Sequence, residues 1–453
     1  MSIGERKINL FNILDYGAVS DINVNSTKAV QKAIDACREN GGGTVFVPAG
    51  KYTIASLVLC SNLHFLFEAG AYFFGSKNVD DFNPREKIGY PLYQDATHSY
   101  FERSMFFANE CHNVSFTGFG TIDMQSVWEN TPIPDTSEWC SKRAAKIFAF
   151  KKCTDVVVSD LTLLHCTDVA VYFAGCERVK ATRLTIDTNI DAISPDCCKN
   201  VTISDCFIRS GDDAIVLKSS YVLNEKRVCE NVTVTNCTVT SRCNGIKLGT
   251  ESNGGYKNIA ITNCCVYNTY MVGVALEVTD GGDLDGVVVN NITMKNVGTP
   301  IYVILSDRRR GPMGTELGTL KNVTISNINA IGPYDEPWLA PHLTAMWDGE
   351  QMCVTEVITS SIKMHKERKI ENITLSNINI CVPGGGKEED RHIVLPENEK
   401  KYPENNCFGN VLPASGIFFR HVKNLNLSNV NITTYSPDKR DSLVFEDVEN
   451  LVK

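Results

Sequence analysis

One seven-residue unit, repeated along most of the chain, limits what this sequence can fold into. It reads Asn, β-branched residue, any residue, β-branched residue or Leu, any residue, Asn or Asp, then Cys or an apolar residue. The unit occurs as NVTISDC from Asn200, NVTVTNC from Asn231 and NIAITNC from Asn258, and again as NVTISNI from Asn322, NITLSNI from Asn372 and NLNLSNV from Asn424. Weaker copies begin at Asn113, Asp155 and Arg178, and the starts from 178 to 258 lie 22, 31 and 27 residues apart. Short runs of alternating apolar residues form strands with one buried face, and a spacing in the twenties means a solenoid of stacked coils. The pattern therefore predicts an all-β fold, a single-stranded parallel β-helix. Cys206, Cys237 and Cys264 hold the same place in three copies, which reads as small apolar core residues stacked coil on coil. The repeated Asn reads as a turn residue able to bond its counterpart in the next coil. Several of these begin Asn-x-Thr, but core turns suit them better than glycosylation acceptors.

A solenoid exposes core and unpaired backbone at its first coil unless something covers it. After Ser26, which can cap a helix, Ala29, Val30, Ala33, Ile34 and Cys37 fall at helical spacing, and Gly41 to Gly43 end the run. The strand TVFVPAG follows. Residues 1–50 are thus expected to form an N-terminal cap on one domain spanning 1–453. Two stretches break the repeat, 334–365 and 382–413, and are expected to be loop insertions that project from one side and shape a groove. The net charge of −9 argues against a nucleic-acid partner. No apolar run reaches the length of a membrane span, and the N-terminus lacks the apolar core of a signal peptide. With 18 cysteines and no zinc-type pairing, a reduced cytoplasmic setting is expected. Oligomeric state is not read from the sequence.

The chemistry gathers in residues 189–218, NIDAISPDCCKNVTISDCFIRSGDDAIVLK. Asp191 precedes the pair Asp212 and Asp213 by about one repeat, so coil stacking brings three carboxylates to one face. Paired acids are the usual equipment for protonating a leaving group and activating water, which calls for no metal and no cofactor. For any single Asp beside Gly a turn role is the commoner one.

These residues resemble glycoside hydrolase family 28, the polygalacturonase group of right-handed parallel β-helices. The likeness runs from LDYGAVSD and AGKYTIASLVLCSN through GTID to the last repeats. The family's Asn-Thr-Asp-Gly-Ile-Asp looks like residues 189–194, keeping the central Asp191, and its Gly-Asp-Asp is intact as Gly211, Asp212 and Asp213. The resemblance implies Asp212 as general acid, Asp191 and Asp213 as holders of the attacking water, an oligosaccharide substrate and inversion at the anomeric carbon. Inversion comes from the resemblance, because coils about 4.8 Å apart place carboxyl groups closer than the roughly 6.5–9.5 Å expected of inverting enzymes.

Two family motifs are altered. Gly-His-Gly becomes Cys243, Asn244, Gly245, so an amide that cannot carry a proton replaces an imidazole. Arg-Ile-Lys, which grips a galacturonate carboxylate, becomes Ala275, Leu276, Glu277. Glu277 would repel a uronate but accept a hydroxyl from a neutral sugar, the pattern of family members that cut rhamnogalacturonan. Lys247 could hold a carboxylate or neutralise one of the acids, and the run Arg308, Arg309, Arg310 could supply other cations. Tyr402, Trp347 and His421 are further candidates for substrate contact. The expected function is exo-acting cleavage of uronic-acid-containing, rhamnogalacturonan-type oligosaccharides rather than ordinary homogalacturonan. The alternatives weighed are hydrolysis of a different neutral or uronic glycoside, a polysaccharide lyase, and a non-catalytic β-helical carbohydrate-binding module.

Overall fold

The computed structural model describes residues 9–94, 98–127, 144–332, 356–360, 368–409 and 411–453. The fold is a parallel β-helix: short strands pair in parallel and in register with their counterparts in the next coil, as Val201↔Val232↔Ile259 and Val323↔Ile373↔Leu425 illustrate. The chain divides into two compact units, Met1–Gly89 with Asp95–Thr188, and Tyr90–Gln94 with Asn189–Lys453.

In the first unit the helix Thr27–Glu39 lays Val30, Ala33, Ile34 and Cys37 over the strands Leu10–Asn12, Gly43–Val47 and Leu63–Phe67. Ser26 stands at the N-cap position, but its hydroxyl bonds to Val19. Asn25 accepts the first helical N–H instead, from Thr27 at 3.0 Å. The coil interior here is aromatic, with Phe65 stacked on Phe116 and Phe106 on Phe148, ring centroids 5.2 and 5.0 Å apart. No helix among the described residues is long and apolar enough to cross a membrane.

The second unit shows why the seven-residue unit begins with Asn. Asn200, Asn231, Asn258, Asn322, Asn372 and Asn424 all have φ between 54° and 59°, the left-handed conformation that most residues avoid. Each corner then bonds to the next coil: Asn231 Nδ2 donates to Asn200 Oδ1 at 3.0 Å, Asn258 to Asn231 at 2.8 Å, Asn372 to Asn322 at 2.8 Å and Asn424 to Asn372 at 2.7 Å. Backbone strain and side-chain ladder therefore select the same residue. Cys206, Cys237 and Cys264 are buried thiols, each donating to the carbonyl oxygen two residues earlier at 3.2–3.3 Å.

Of the two expected insertions, 334–365 lies largely outside the described residues. Glu356–Ser360 within it is a coil strand rather than a loop, pairing with Asp283–Leu305 on one side and Ala414–Thr434 on the other. The 382–413 insertion begins where the strand Ile370–Val382 ends and stops where Ala414–Thr434 begins. It folds back onto the outer face of the coil strands. Leu395, Cys407, Phe408 and Leu412 pack on Ala275, Tyr302 and Phe418, while Asn405 Nδ2 donates to Thr299 Oγ1 at 3.0 Å.

Asn231→Ala removes both ladder bonds and leaves a β-carbon in the left-handed region, so it is expected to cost about 2 kcal/mol. Asn231→Gly relieves the backbone strain and is expected to cost roughly 1 kcal/mol. Chemical denaturation of the two variants checks the order.

Candidate active site

One row of in-register strands carries the site. Ile215–Leu217, Asn244–Leu248, the second half of Cys265–Val278 and the end of Asp283–Leu305 lie side by side, with Val216↔Lys247, Lys247↔Ala275 and Ala275↔Tyr302 opposite one another. Asp191 enters just before the strand Ile193–Asp196, which pairs at Ile193↔Ile215. Asp212 and Asp213 occupy the turn before Ile215. A separation of 22 residues thus becomes one coil step.

The three carboxylates converge. One oxygen from each of Asp191, Asp212 and Asp213 lies within 4.8 Å of the others. The backbone N–H of Asp213 ties them together, donating to Asp191 Oδ1 and Asp212 Oδ1 at 3.1 Å each. Asp213 is in turn fixed by Asn244, whose Nδ2 and backbone N donate to its Oδ1 at 2.7 and 3.2 Å. Asp191 and Asp213 are buried, whereas Asp212 is partly open. Three like charges this close repel one another, which favours a proton on one of them. Its location follows from the neighbours. Lys247 Nζ stands 3.5 Å from Asp213 Oδ2, and the charge of Lys218 acts on Asp191. Both cations attract the negative charge of the buried pair, and Asp212, the member partly open to solvent, is the carboxyl placed to pass a proton outward. Among the described residues this is also the acidic group whose oxygens approach closely enough to ligate a cation.

Asn244, Lys247 and Glu277 stand behind the aspartates rather than on an open surface. Each is at most 3 % exposed. Lys247 Nζ is 3.7 Å from Glu277 Oε2, and that oxygen accepts no hydrogen bond. Burial pushes the Glu277 carboxyl up to about 8 against the lowering effect of Lys247, with Glu404 and Asp213 adding to the rise. Burial alone would depress the Lys247 ammonium, but Asp213 and Glu277 hold it well above the ordinary lysine value.

The arginine run is committed to carboxylates of its own chain. Arg308 makes a two-pronged contact with fully buried Asp280, Nε to Oδ1 at 2.8 Å and Nη2 to Oδ2 at 2.5 Å. Arg309 pairs with Asp307, and Arg310 reaches Glu251. Glu251 also takes Lys218 at 2.7 Å. Lys218, Glu251 and Asp280 were not singled out in the sequence, although each closes the apolar core of a strand in successive copies, in VLK, KLGTE and LEVTD. Tyr402 lies beside Arg308, whose guanidinium is 5.0 Å from its ring centroid, and the residue is 43 % exposed.

His421 is not brought to the aspartates. It turns a left-handed corner with φ 54° and bonds Asp447 at 2.6 Å and Glu397 at 3.3 Å. Its strand, Ala414–Thr434, is reached from Val216 through Lys247, Ala275, Tyr302 and Val357 to Phe418, about 24 Å along the register at some 4.8 Å per step. A histidine at a ladder corner serves the turn, a role its sequence FFRHVKN does not advertise. Trp347 lies outside the described residues.

Comparison with known proteins follows the same lines. The sequence profile described as glycosyl hydrolases family 28 matches residues 37–335. A probable polygalacturonase of Vitis vinifera is 26% identical over 312 residues, 63% of this chain and 61% of that protein, so the chain spans less than two thirds of the relative's length. An exo-poly-alpha-D-galacturonosidase of Dickeya chrysanthemi is 21% identical over 432 residues, 82% of this chain and 71% of that protein. Among solved structures, the Thermotoga maritima exopolygalacturonase superposes with a TM-score of 0.70 at 17% identity, covering 94% of this chain and 91% of its own. The Yersinia enterocolitica family 28 exopolygalacturonase does so with 0.72 at 18% identity, covering 98% and 78%. At these identities the superpositions speak to the fold.

Replacing Asp280 by Asn leaves Arg308 buried with a weakened partner, and is expected to lower stability by about 3 kcal/mol. The double variant Asp280→Asn with Arg308→Met is expected to recover more than half of that loss, as read by thermal or denaturant unfolding.

Proposed function

The chain belongs to glycosyl hydrolases family 28; from that premise we propose that it is a glycosidase that removes terminal residues from uronic-acid-containing, rhamnogalacturonan-type pectic oligosaccharides, cutting an α-glycosidic bond with inversion. The observation that carries the hydrolytic reading is the convergence of Asp191, Asp212 and Asp213 within 4.8 Å. Asp212 gives its proton to the glycosidic oxygen as the bond to the anomeric carbon breaks. A water held by Asp191 and Asp213 attacks that carbon from the other side and leaves its proton on the pair.

Exo action is supported by the 382–413 segment. It covers the sheet face at Ala275 and Tyr302, one and two register steps beyond Lys247, so the row carrying the aspartates is walled on that side. A long polymer could not lie through such a wall, whereas a chain end could reach the aspartates. A substrate other than homogalacturonan is supported by charge. The positions that would grip a galacturonate carboxylate are a methyl group at Ala275 and a carboxyl at Glu277, and the nearby arginines face Asp280, Asp307 and Glu251. The exposed ring of Tyr402 offers a platform for a sugar face. The buried thiols support a reducing, cytoplasmic setting.

The test is incubation with purified rhamnogalacturonan and oligogalacturonate fragments, followed by product identification over time. Release of one short product from the outset, faster from rhamnogalacturonan fragments, is expected. Asp212→Asn should lower kcat by at least about 100-fold with the fold intact by circular dichroism. Full activity in that variant would sink the catalytic assignment, and early accumulation of mid-length fragments would sink exo action.

A further inference from the structure

We propose that Lys247, held between Asp213 and Glu277, is a positioning residue for the hydrolysis: it keeps Asp213 in the carboxylate form that activates water, and Glu277 keeps the lysine in place. The proposal rests on the hydrolytic reading above.

Three observations carry it. Lys247 Nζ bridges the two acids, 3.5 Å from Asp213 Oδ2 and 3.7 Å from Glu277 Oε2, and all three side chains are at least nine-tenths buried. In so dry a place an ammonium is held only by the carboxylates it faces. The division of labour at Asp213 is also complete. Asn244 occupies Oδ1 from two donors, leaving Oδ2 to the lysine. Finally, the Glu277 side chain is confined. It lies against Gly249, where an added Cβ would stand 2.9 Å from Glu277 Cβ and 3.4 Å from its Oε2.

Burial this deep also separates positioning from substrate contact. Glu277 Oε2 has no solvent-accessible surface to offer a sugar hydroxyl, but it faces Lys247 directly. The charged and titratable groups around the pair are Asp213 and Cys243 from the preceding turns, Tyr256 and Tyr302 from neighbouring strands, Arg308 from the following turn, and Glu404 and Tyr402 from the covering segment. Burial raises the Glu277 carboxyl to about 8 and Lys247 lowers it, so each of the two groups favours the charged form of the other.

The sign of the expected change follows. The acid limb of kcat/KM reports protonation of the base, and an opposite charge within about 4–6 Å lowers a carboxyl pKa by roughly 1–3 units. Lys247→Met should therefore move the acid limb upward by on the order of one pH unit and cut kcat about tenfold or more near pH 5, with KM little changed. Lys247→Arg should keep the limb near the wild-type position. Glu277→Gln, neutral at every pH, loosens the lysine and should lower kcat with KM little changed.

The experiment is the pH profile of kcat and KM for wild type and these three variants on the best rhamnogalacturonan fragment, with folding checked by circular dichroism. A limb shift in Lys247→Met that Lys247→Arg reverses supports the proposal. Equal loss at all pH values in Lys247→Met, as a purely structural role predicts, overturns it, and so do unchanged profiles. Should Lys247→Met not fold, a Glu277→Gln variant whose kcat equals that of the wild type at every pH overturns it. A wild-type protein that hydrolyses no glycan is a different outcome, one that removes the hydrolytic reading and this assignment together.

Discussion

In-register pairing of one coil with the next is the interaction on which everything else depends. It converts separations of 22 to 31 residues into a single strand spacing, so Asp191 meets Asp213 and Asp213 meets Asn244 without any loop having to reach. The asparagine corners maintain that register. Each takes up a left-handed turn and bonds the corner before it, and a slip of one residue would turn every outward side chain of the coil inward. The site is precise because its side chains stand on rigid strands and on the turns between them.

The stacking that gathers the carboxylates also crowds their charge, and the surroundings are arranged around that cost. Cations are placed beside the buried members, Lys247 at Asp213 and Lys218 near Asp191, while a second layer of acids, Glu251, Asp280 and Glu277, holds those cations and their neighbours. Asp212 is the carboxyl left partly open to solvent. Buried pairs of this kind add little net stability, because desolvation opposes the attraction. Their value here is in fixing which acid carries the proton.

The coil architecture was legible because it is written locally and many times over. Alternation in NVTISDC gives a half-buried strand, its leading Asn gives a corner, and recurrence gives the stack. Asp191, Asp212 and Asp213 were legible for the same reason, one repeat apart on matching turns. What was hidden depends on contacts between positions the repeat does not relate. Nothing in RRR distinguishes cations that await a substrate from cations already paired, and only the fold shows Arg308 on Asp280 and Arg310 on Glu251. His421 looked like chemistry but occupies a corner, where His tolerates the left-handed turn and bonds Asp447. The hydroxyl of Ser26 turned to Val19 because Asn25 was as well placed to take the first N–H of the helix. Residues 356–360, EVITS, lack the alternation of the repeated unit and are too short to stand out from the flanking sequence.

The central claim is that three crowded carboxylates share a proton and that Asp212 holds it. Site-resolved carbon NMR titration of the aspartate carboxyl groups tests this most directly. The account predicts that Asp212, crowded by two like charges, keeps its proton above the ordinary aspartate range. Three carboxyl groups all ionised in that ordinary range would contradict it.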